Sequence, residues 1–395
     1  MSNTTTLVLN SSNNVDPTNK STYRYQFVNG SFTIPEDSDI CISSVVLPYS
    51  WFNVNSQIYN NASFSYTFPM ASNFTGSITT TTLTVTALAN GVIIPGQTLT
   101  GVGITVGTNV LAQLTGTTGG IGTYSVSISQ VVGSISINGF VQQVYPVTLP
   151  NGYYSVSDIN NYLQNLMISR GQFLVSGTSN IYYLSITVNA TYYSNTILAT
   201  VLPLSLPSGY TNPINTVTGS PQFGFPLTSV TPQFTVSASY PAFGTLIGYT
   251  VGSYPPAPAS VSYSTIGNQT PNATPVNSLI IRCNLVNNNA GFPTDILDSM
   301  PITGAFGTNI NYVPNFEKWV SISSGTYYNL ILSFQDQNLN TIQFNDTNIL
   351  VNLLIKKGTK DKQRDTTSQE FLGVTKMAPS FNRTESSSMG GGFRR

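Results

Sequence analysis

From Met1 to Ile355 the chain holds five basic and ten acidic side chains and no histidine. Whatever fold it adopts must build its solvated face from Asn, Thr, Ser, Gln and Tyr. Charged residues make up 7% of the whole chain, against roughly 25% in ordinary soluble domains. A surface so poor in like-charge repulsion suits close packing into an assembly better than life as a concentrated free monomer. The charge is also divided along the chain. Residues 356–395 carry nine bases and four acids, net +5, while the preceding residues carry net −5. The body should therefore not attract nucleic acid, and only the tail has the charge to do so.

The body is patterned for strands. Tyr23–Val28, Ile40–Leu47, Phe64–Phe68, Ile181–Val188, Leu279–Leu285, Tyr328–Phe334 and Ile349–Ile355 are short and rich in β-branched or aromatic residues. Most are bounded by Gly, Pro, Asn or Asp. Many short strands with turn-rich joints predict an all-β sandwich or barrel. One helix is expected at Ser157–Met167, where Ile159, Tyr162, Leu163, Leu166 and Met167 draw one apolar stripe. Ser157 is its expected N-cap, and Gly171 lies past its end.

Between Ser72 and Phe140 there is no charged residue, and Gly, Thr, Val and Ile dominate. This reads as a small β-module (70–140) grafted into a loop of a larger domain formed by 1–69 and 141–355. Residues 203–277 are rich in Pro, Gly, Ser and Thr, which predicts ordered loops or edge structure. From Lys356 onward the strand pattern stops. The basic, Ser- and Gly-rich end (356–395) is expected to be flexible and extended, with Phe371, Leu372, Phe381 and Phe393 as isolated apolar anchors.

Little in the chain can do chemistry. Without histidine there is no Ser-His-Asp or Cys-His nucleophilic arrangement and no His-bearing zinc site. Cys41 and Cys283 are too few for an all-thiolate zinc site and read as buried free thiols, which suits a reducing compartment. Asp295 and Asp298 stand three apart and would face each other on a helical turn as an acid/base pair, but a capped turn with solvated acids is the plainer reading. Glu36-Asp37-Ser38-Asp39 offers oxygen ligands for calcium but lacks the glycine and distal glutamate of an EF-hand. Gly101-Val-Gly103 and Gly119-Gly120 have neither the Lys-Ser/Thr ending nor the following helix of a phosphate loop, and read as turns. The 22 Tyr and 20 Phe read as core and interface packing. No catalytic, cofactor-binding or metal-binding residues are assigned, and no enzyme activity is expected. Neither a signal peptide nor a membrane-spanning apolar run is evident.

Several segments, taken in order, resemble a known family. They are Pro48-Tyr-Ser-Trp-Phe-Asn53 with Tyr59-Asn-Asn61, and Leu149-Pro-Asn-Gly-Tyr-Tyr-Ser155 running into the helix. Next come Phe243–Tyr249, Val276–Asn288, Gly325–Tyr328, Phe334-Gln-Asp-Gln337 and Asp346–Ile355. The series resembles the penton (minor capsid) proteins of virophages, polinton-like elements and related large double-stranded DNA viruses. That resemblance implies a single jelly-roll β-sandwich, assembled as a homopentamer at icosahedral vertices. Residues 72–140 separately resemble a Gly/Thr-rich β-module of viral structural proteins, which would face outward as a knob. Implied partners are major capsid protein capsomers and other minor capsid proteins, with a host receptor at the module. The tail reads either as a solvated terminus or as an inward arm to neighbouring capsid proteins, an internal membrane or DNA, its scattered phenylalanines favouring protein contacts. Implied localisation is the virion, with assembly in the host cytoplasm. The rival reading is a host-adhesion or glycan-binding β-sandwich fibre.

Overall fold

The apolar residues at the two ends of the chain face each other across a sandwich. Strands β1 (Thr4–Asn10), β2 (Thr22–Gln26), β3 (Phe32–Ile34) and β4 (Asp39–Pro48) open the chain. Its close is made by β17 (Ser278–Cys283), β18 (Ile296–Pro301), β19 (Asn309–Tyr312) and β20 (Val320–Ser321). After these come β21 (Gly325–Tyr327), β22 (Asn329–Asp336) and β23 (Leu350–Lys356). Every second residue is buried along β17 (Leu279, Ile281, Cys283) and β22 (Leu330, Leu332, Phe334), as expected for a strand with one covered face. This computed structural model describes residues 4–357. The expected flexible tail lies outside the described residues, apart from Lys356 and Lys357.

One sheet runs β1-β23-β4-β19, with β20 continuing beside β4; the other runs β18-β17-β22-β2. Numbering these eight main strands along the chain, the sheets read first-eighth-third-sixth and second-seventh-fourth-fifth. That order is two interleaved Greek keys, a jelly roll. Its core packs Leu9, Ile40, Val45, Leu47, Val351, Leu353 and Ile355 of one sheet against Tyr23, Leu279, Ile281, Leu332 and Phe334 of the other. Full burial of each such side chain is worth about 1.5–3 kcal/mol.

The registers give the sandwich a direction. Thr4 pairs with Lys356 and Asn10 with Leu350; on the next strand Asp39 pairs with Lys356 and Val46 with Leu350. Both ends of the described chain therefore lie at one end of the sandwich, beside Asp39. Strand β4 runs to the opposite end, and everything between Pro48 and Ser278 is a single excursion from there.

That excursion forms its own structure. Two long antiparallel strands, β5 (Ser63–Gly91) and β8 (Gly122–Thr148), pair from Ser63↔Thr148 to Val85↔Gly122. Around their near halves gather α1 (Val156–Ser169), β9 (Phe173–Ser176), β10 (Ser179–Tyr182), β11 (Leu184–Asn189) and β12 (Ser194–Ala199). With them come β13 (Tyr210–Thr211), β14 (Gln233–Val236), α2 (Pro241–Ile247), β15 (Gly252–Tyr254) and β16 (Tyr263–Ile266). Their buried residues, Phe64, Leu163, Ile197, Phe234 and Phe243 among them, form a second core separate from the jelly roll. The far halves of β5 and β8, with β6 (Thr98–Thr100) and β7 (Val110–Gly116), enclose a third around Phe74, Leu83, Tyr124 and Ile137.

The structure thus agrees with the all-β, jelly-roll-like class and refines the sequence reading. Residues 1–69 and 141–355 were expected to share one sandwich, but their buried side chains divide between two cores. The helix begins earlier than expected, with Ser155 rather than Ser157 as N-cap. Ser155 Oγ accepts from the Asp158 amide, and the Asp158 carboxylate accepts from the Ser155 amide, closing a capping box. A second helix, α2, lies in the segment read as loops. Pro241 fixes the backbone in its first turn, Gly248 ends it in a left-handed conformation, and Phe243, Leu246 and Ile247 are buried. In the same segment the proline-free Gln233–Val236 stretch sits between β15 and β5 as an interior strand. The Ile181–Val188 stretch is broken at Tyr183 into β10 and β11 rather than forming one strand.

Candidate assembly surfaces

Where the jelly roll meets its excursion, aromatic residues and one asparagine fix the joint. Tyr49 and Trp51 stack with ring centroids 4.3 Å apart, and Trp51 meets Phe344 edge-on at 5.7 Å. From the excursion, Tyr153 stacks on Phe306 at 4.4 Å and meets Tyr49 edge-on at 5.8 Å. Asn53, 3% exposed, ties three chain segments together. Its Nδ2 donates to the carbonyls of Tyr154 (2.8 Å) and Ala273 (2.7 Å), and its Oδ1 accepts from the Tyr154 amide (2.8 Å). Asn61 Nδ2 donates to the Asn53 carbonyl at 2.8 Å. The segments Pro48–Asn53, Tyr59–Asn61 and Leu149–Ser155, quoted above for the family resemblance, therefore meet at this joint. Two open grooves of about 510 and 780 Å³ flank it, both lined by neutral residues alone.

The module is fixed to the excursion in the same way. Its strands are the uninterrupted continuations of β5 and β8. Buried Gln97 accepts from Ser72 Oγ and donates to the carbonyls of Met70 and Val92. At the crossing of Gly91, Ala71 and Gly224 the backbones touch: a Cβ on Gly224 would stand 1.7 Å from the Ala71 carbonyl oxygen. Residues 52–275 contain only two charged residues, Asp158 and Arg170, and both are engaged. Asp158 caps α1. Arg170 donates to the Tyr66 hydroxyl at 2.6 Å and lies 4.5 Å from the Tyr145 ring centroid. Burial pushes the Tyr66 hydroxyl up to about 12, with Arg170 pulling the other way.

The jelly roll's two flanks differ. On one, β19 and β20 both pair with β4, and the seven residues Val313–Trp319 between them bulge out of the sheet edge. The foot of this bulge is pinned by a small polar network. Lys318 Nζ donates to Asp298 Oδ1 at 2.8 Å, while the Tyr312 hydroxyl donates to Asp298 Oδ2 at 3.0 Å. The carboxylate holds the Lys318 ammonium above its ordinary value, against a smaller opposing push from burial. Within the bulge Val313 and Phe316 are each 69% exposed, and Glu317 is exposed with its carboxylate accepting from Trp319 Nε1. On the opposite flank, the Asn14–Val15 segment lies along the outer edge of β2. Val8 and Val15 are exposed there, as are Lys20 and Arg24.

The residues weighed for chemistry lie apart. Asp295 forms an ion pair with Arg282 (2.8 Å), and Asp298 lies in β18 held by Lys318, so each acid has its own cation and no helical turn joins them. Glu36–Asp39 forms the turn between β3 and β4, with Asp37 at φ +58 and the Asp39 carboxylate accepting from Ser321 Oγ. Gly101–Gly103 and Gly119–Gly120 lie in turns of the module. Among the described residues no three His, Cys, Asp or Glu side chains gather in one place, and no helix is long and apolar enough to cross a membrane. Cys41 and Cys283 are buried and unbonded. Burial pushes the Cys41 thiol up to about 11 and Cys283 up to about 12. The Lys318–Asp298–Tyr312 network and the bulge it pins escaped the sequence reading. A signal was present, since Asp298 and Lys318 are two of very few charges in the body.

No protein-family model matches the chain, and no curated protein matches it. Among solved structures it is similar to the mavirus penton protein, at TM-score 0.36 and 9% identity, over 90% of this chain and 99% of that one. It is also similar to a chain of the Sputnik virophage structure, at TM-score 0.33 and 13% identity, over 90% of this chain and 98% of that one. Likenesses this distant decide neither fold nor function; the jelly roll follows from the strand order itself.

Proposed function

We infer that this chain is a structural capsid protein, five copies of which close the shell of a double-stranded DNA virus at its vertices. The observation that carries the reading is the polarity of the subunit. A jelly roll projects a rigid, nearly charge-free excursion from one end, and both ends of the described chain lie at the other. Copies set side by side through their flanks would present all their modules on one face and all their basic tails on the opposite one. In this reading the module faces outward, where a host receptor would meet it. The tail faces inward toward neighbouring capsid proteins, an internal membrane or packaged DNA. Major capsid protein capsomers would lie around the ring.

The mechanism is geometric rather than catalytic. A head-to-tail contact between one flank and the opposite flank of the next copy closes when the rotation between them divides the circle. Low charge keeps the desolvation cost of such contacts small. The test is the mass of the purified chain by light scattering, at low and moderate salt, with and without residues 358–395. A pentamer is expected. A trimer that binds glycans would favour the host-adhesion fibre instead, and a monomer under every condition would overturn self-assembly as the function.

A further inference from the structure

We propose that the Val313–Trp319 bulge of one copy docks on the β1–β2 flank of a second copy of this chain, and so is the contact that drives ring closure. The proposal rests on the pentamer reading above and names its surface. Three observations converge on it.

The first is construction. A loop meant only to connect β19 to β20 needs no ion pair, yet the bulge is held at its foot by Lys318, Asp298 (7% exposed) and Tyr312. Such anchoring presents the tip in one conformation, so little ordering entropy is lost on docking. The second is the tip itself. Phe316 and Val313 stand two-thirds exposed beside Glu317 at the sheet edge that β19 and β20 form on β4. An aromatic residue on a rigid projection is the usual form of an interface anchor.

The third is charge. Of the five bases before Lys356, Arg170, Arg282 and Lys318 have partners. The side chains of Lys20 and Arg24 have none among the described residues, and both lie on the flank opposite the bulge. Asp16 shares that flank, its carboxylate accepting from Thr18 Oγ1. Glu317 on one flank and the unpaired Lys20 and Arg24 on the other make the two surfaces complementary to each other rather than to themselves. That selects a head-to-tail contact over a two-fold one. Exposed Val8 and Val15 supply the apolar ground for Phe316.

The experiment combines cross-linking with mass. Native Cys41 and Cys283 are buried, so cysteines introduced by Val15→Cys and Phe316→Cys would be the reactive thiols of the folded body. With a short bis-maleimide, the double variant is expected to give a ladder ending at five chains, and neither single variant any ladder. Phe316→Asp is expected to weaken association about tenfold or more, with an unchanged melting temperature. Pentamers that form but do not cross-link, dimers from Phe316→Cys alone, or full assembly of Phe316→Asp would overturn the docking proposal and leave the pentamer standing. Failure of the unaltered chain to form pentamers would instead remove the reading on which the proposal rests.

Discussion

At the scale of single residues, a few buried polar groups and close backbone approaches hold large parts of the molecule in place. Asn53 joins three chain segments through three hydrogen bonds of 2.7–2.8 Å. Asn53→Ala would leave two part-buried carbonyls and an amide without their side-chain partner, at a cost of about 2 kcal/mol, read as a lower melting temperature and a looser joint in hydrogen exchange. The buried thiols give a second test. With Cys41 raised to about 11 and Cys283 to about 12, almost no thiolate exists at pH 8. Native protein should therefore resist maleimide until unfolded. Buried tyrosines add a pH dependence. Tyr124 and Tyr183 are pushed up to about 12 by burial, whereas an unfolded tyrosine ionises near 10. Between those values the unfolded chain releases protons that the folded chain keeps. Stability should be intact below about pH 10 and fall as pH rises toward 12, measured as the denaturant midpoint alongside tyrosinate absorbance.

At the scale of elements, alternation and capping were legible in the sequence and nesting was not. Ile40–Leu47, Tyr328–Phe334 and Ile349–Ile355 read as strands because their apolar residues alternate or run together between turn residues, and they are strands. The helix was legible from Ile159, Leu163 and Met167. Its start was misplaced because Ser155 and Ser157 both precede the stripe, and only the reciprocal bonds with Asp158 decide between them. Helix α2 was hidden because two glycines and a proline within Pro241–Gly248 dilute its pattern, although Phe243, Leu246 and Ile247 carry it. The second core was illegible for a different reason. Residues 52–71 and 141–275 share the neutral, alternating composition of the jelly roll, so no shift of pattern marks the boundary at the joint. Residues 72–140 stand apart in the sequence by their complete lack of charge. Its attachment is also testable. Gly224→Ala would drive a methyl group into the Ala71 carbonyl and should destabilise the module joint by about 2–3 kcal/mol, seen as an earlier unfolding transition in calorimetry.

At the scale of the whole molecule, the eight strands of the jelly roll come from the two ends of the chain, and the excursion is hung on a single connection. Strands β4 and β17 lie in facing sheets, which pack about 10 Å apart, so a few residues suffice to join them. Replacing residues 54–272 with a short Gly/Ser linker should leave a cooperatively unfolding β-domain. Aggregation of that variant would mean that the excursion is needed to cover the Tyr49–Trp51 end of the core. The polarity of the subunit, with the module at one end and Thr4 and Lys356 together at the other, is the property from which the assembly reading follows. It is tested most directly by an averaged electron-microscopy map of the purified assembly, with the C-terminus labelled. The account predicts a five-fold ring with flanks in contact, modules projecting from one face and labels on the other. A ring of another order, or copies joined through their modules, would contradict it.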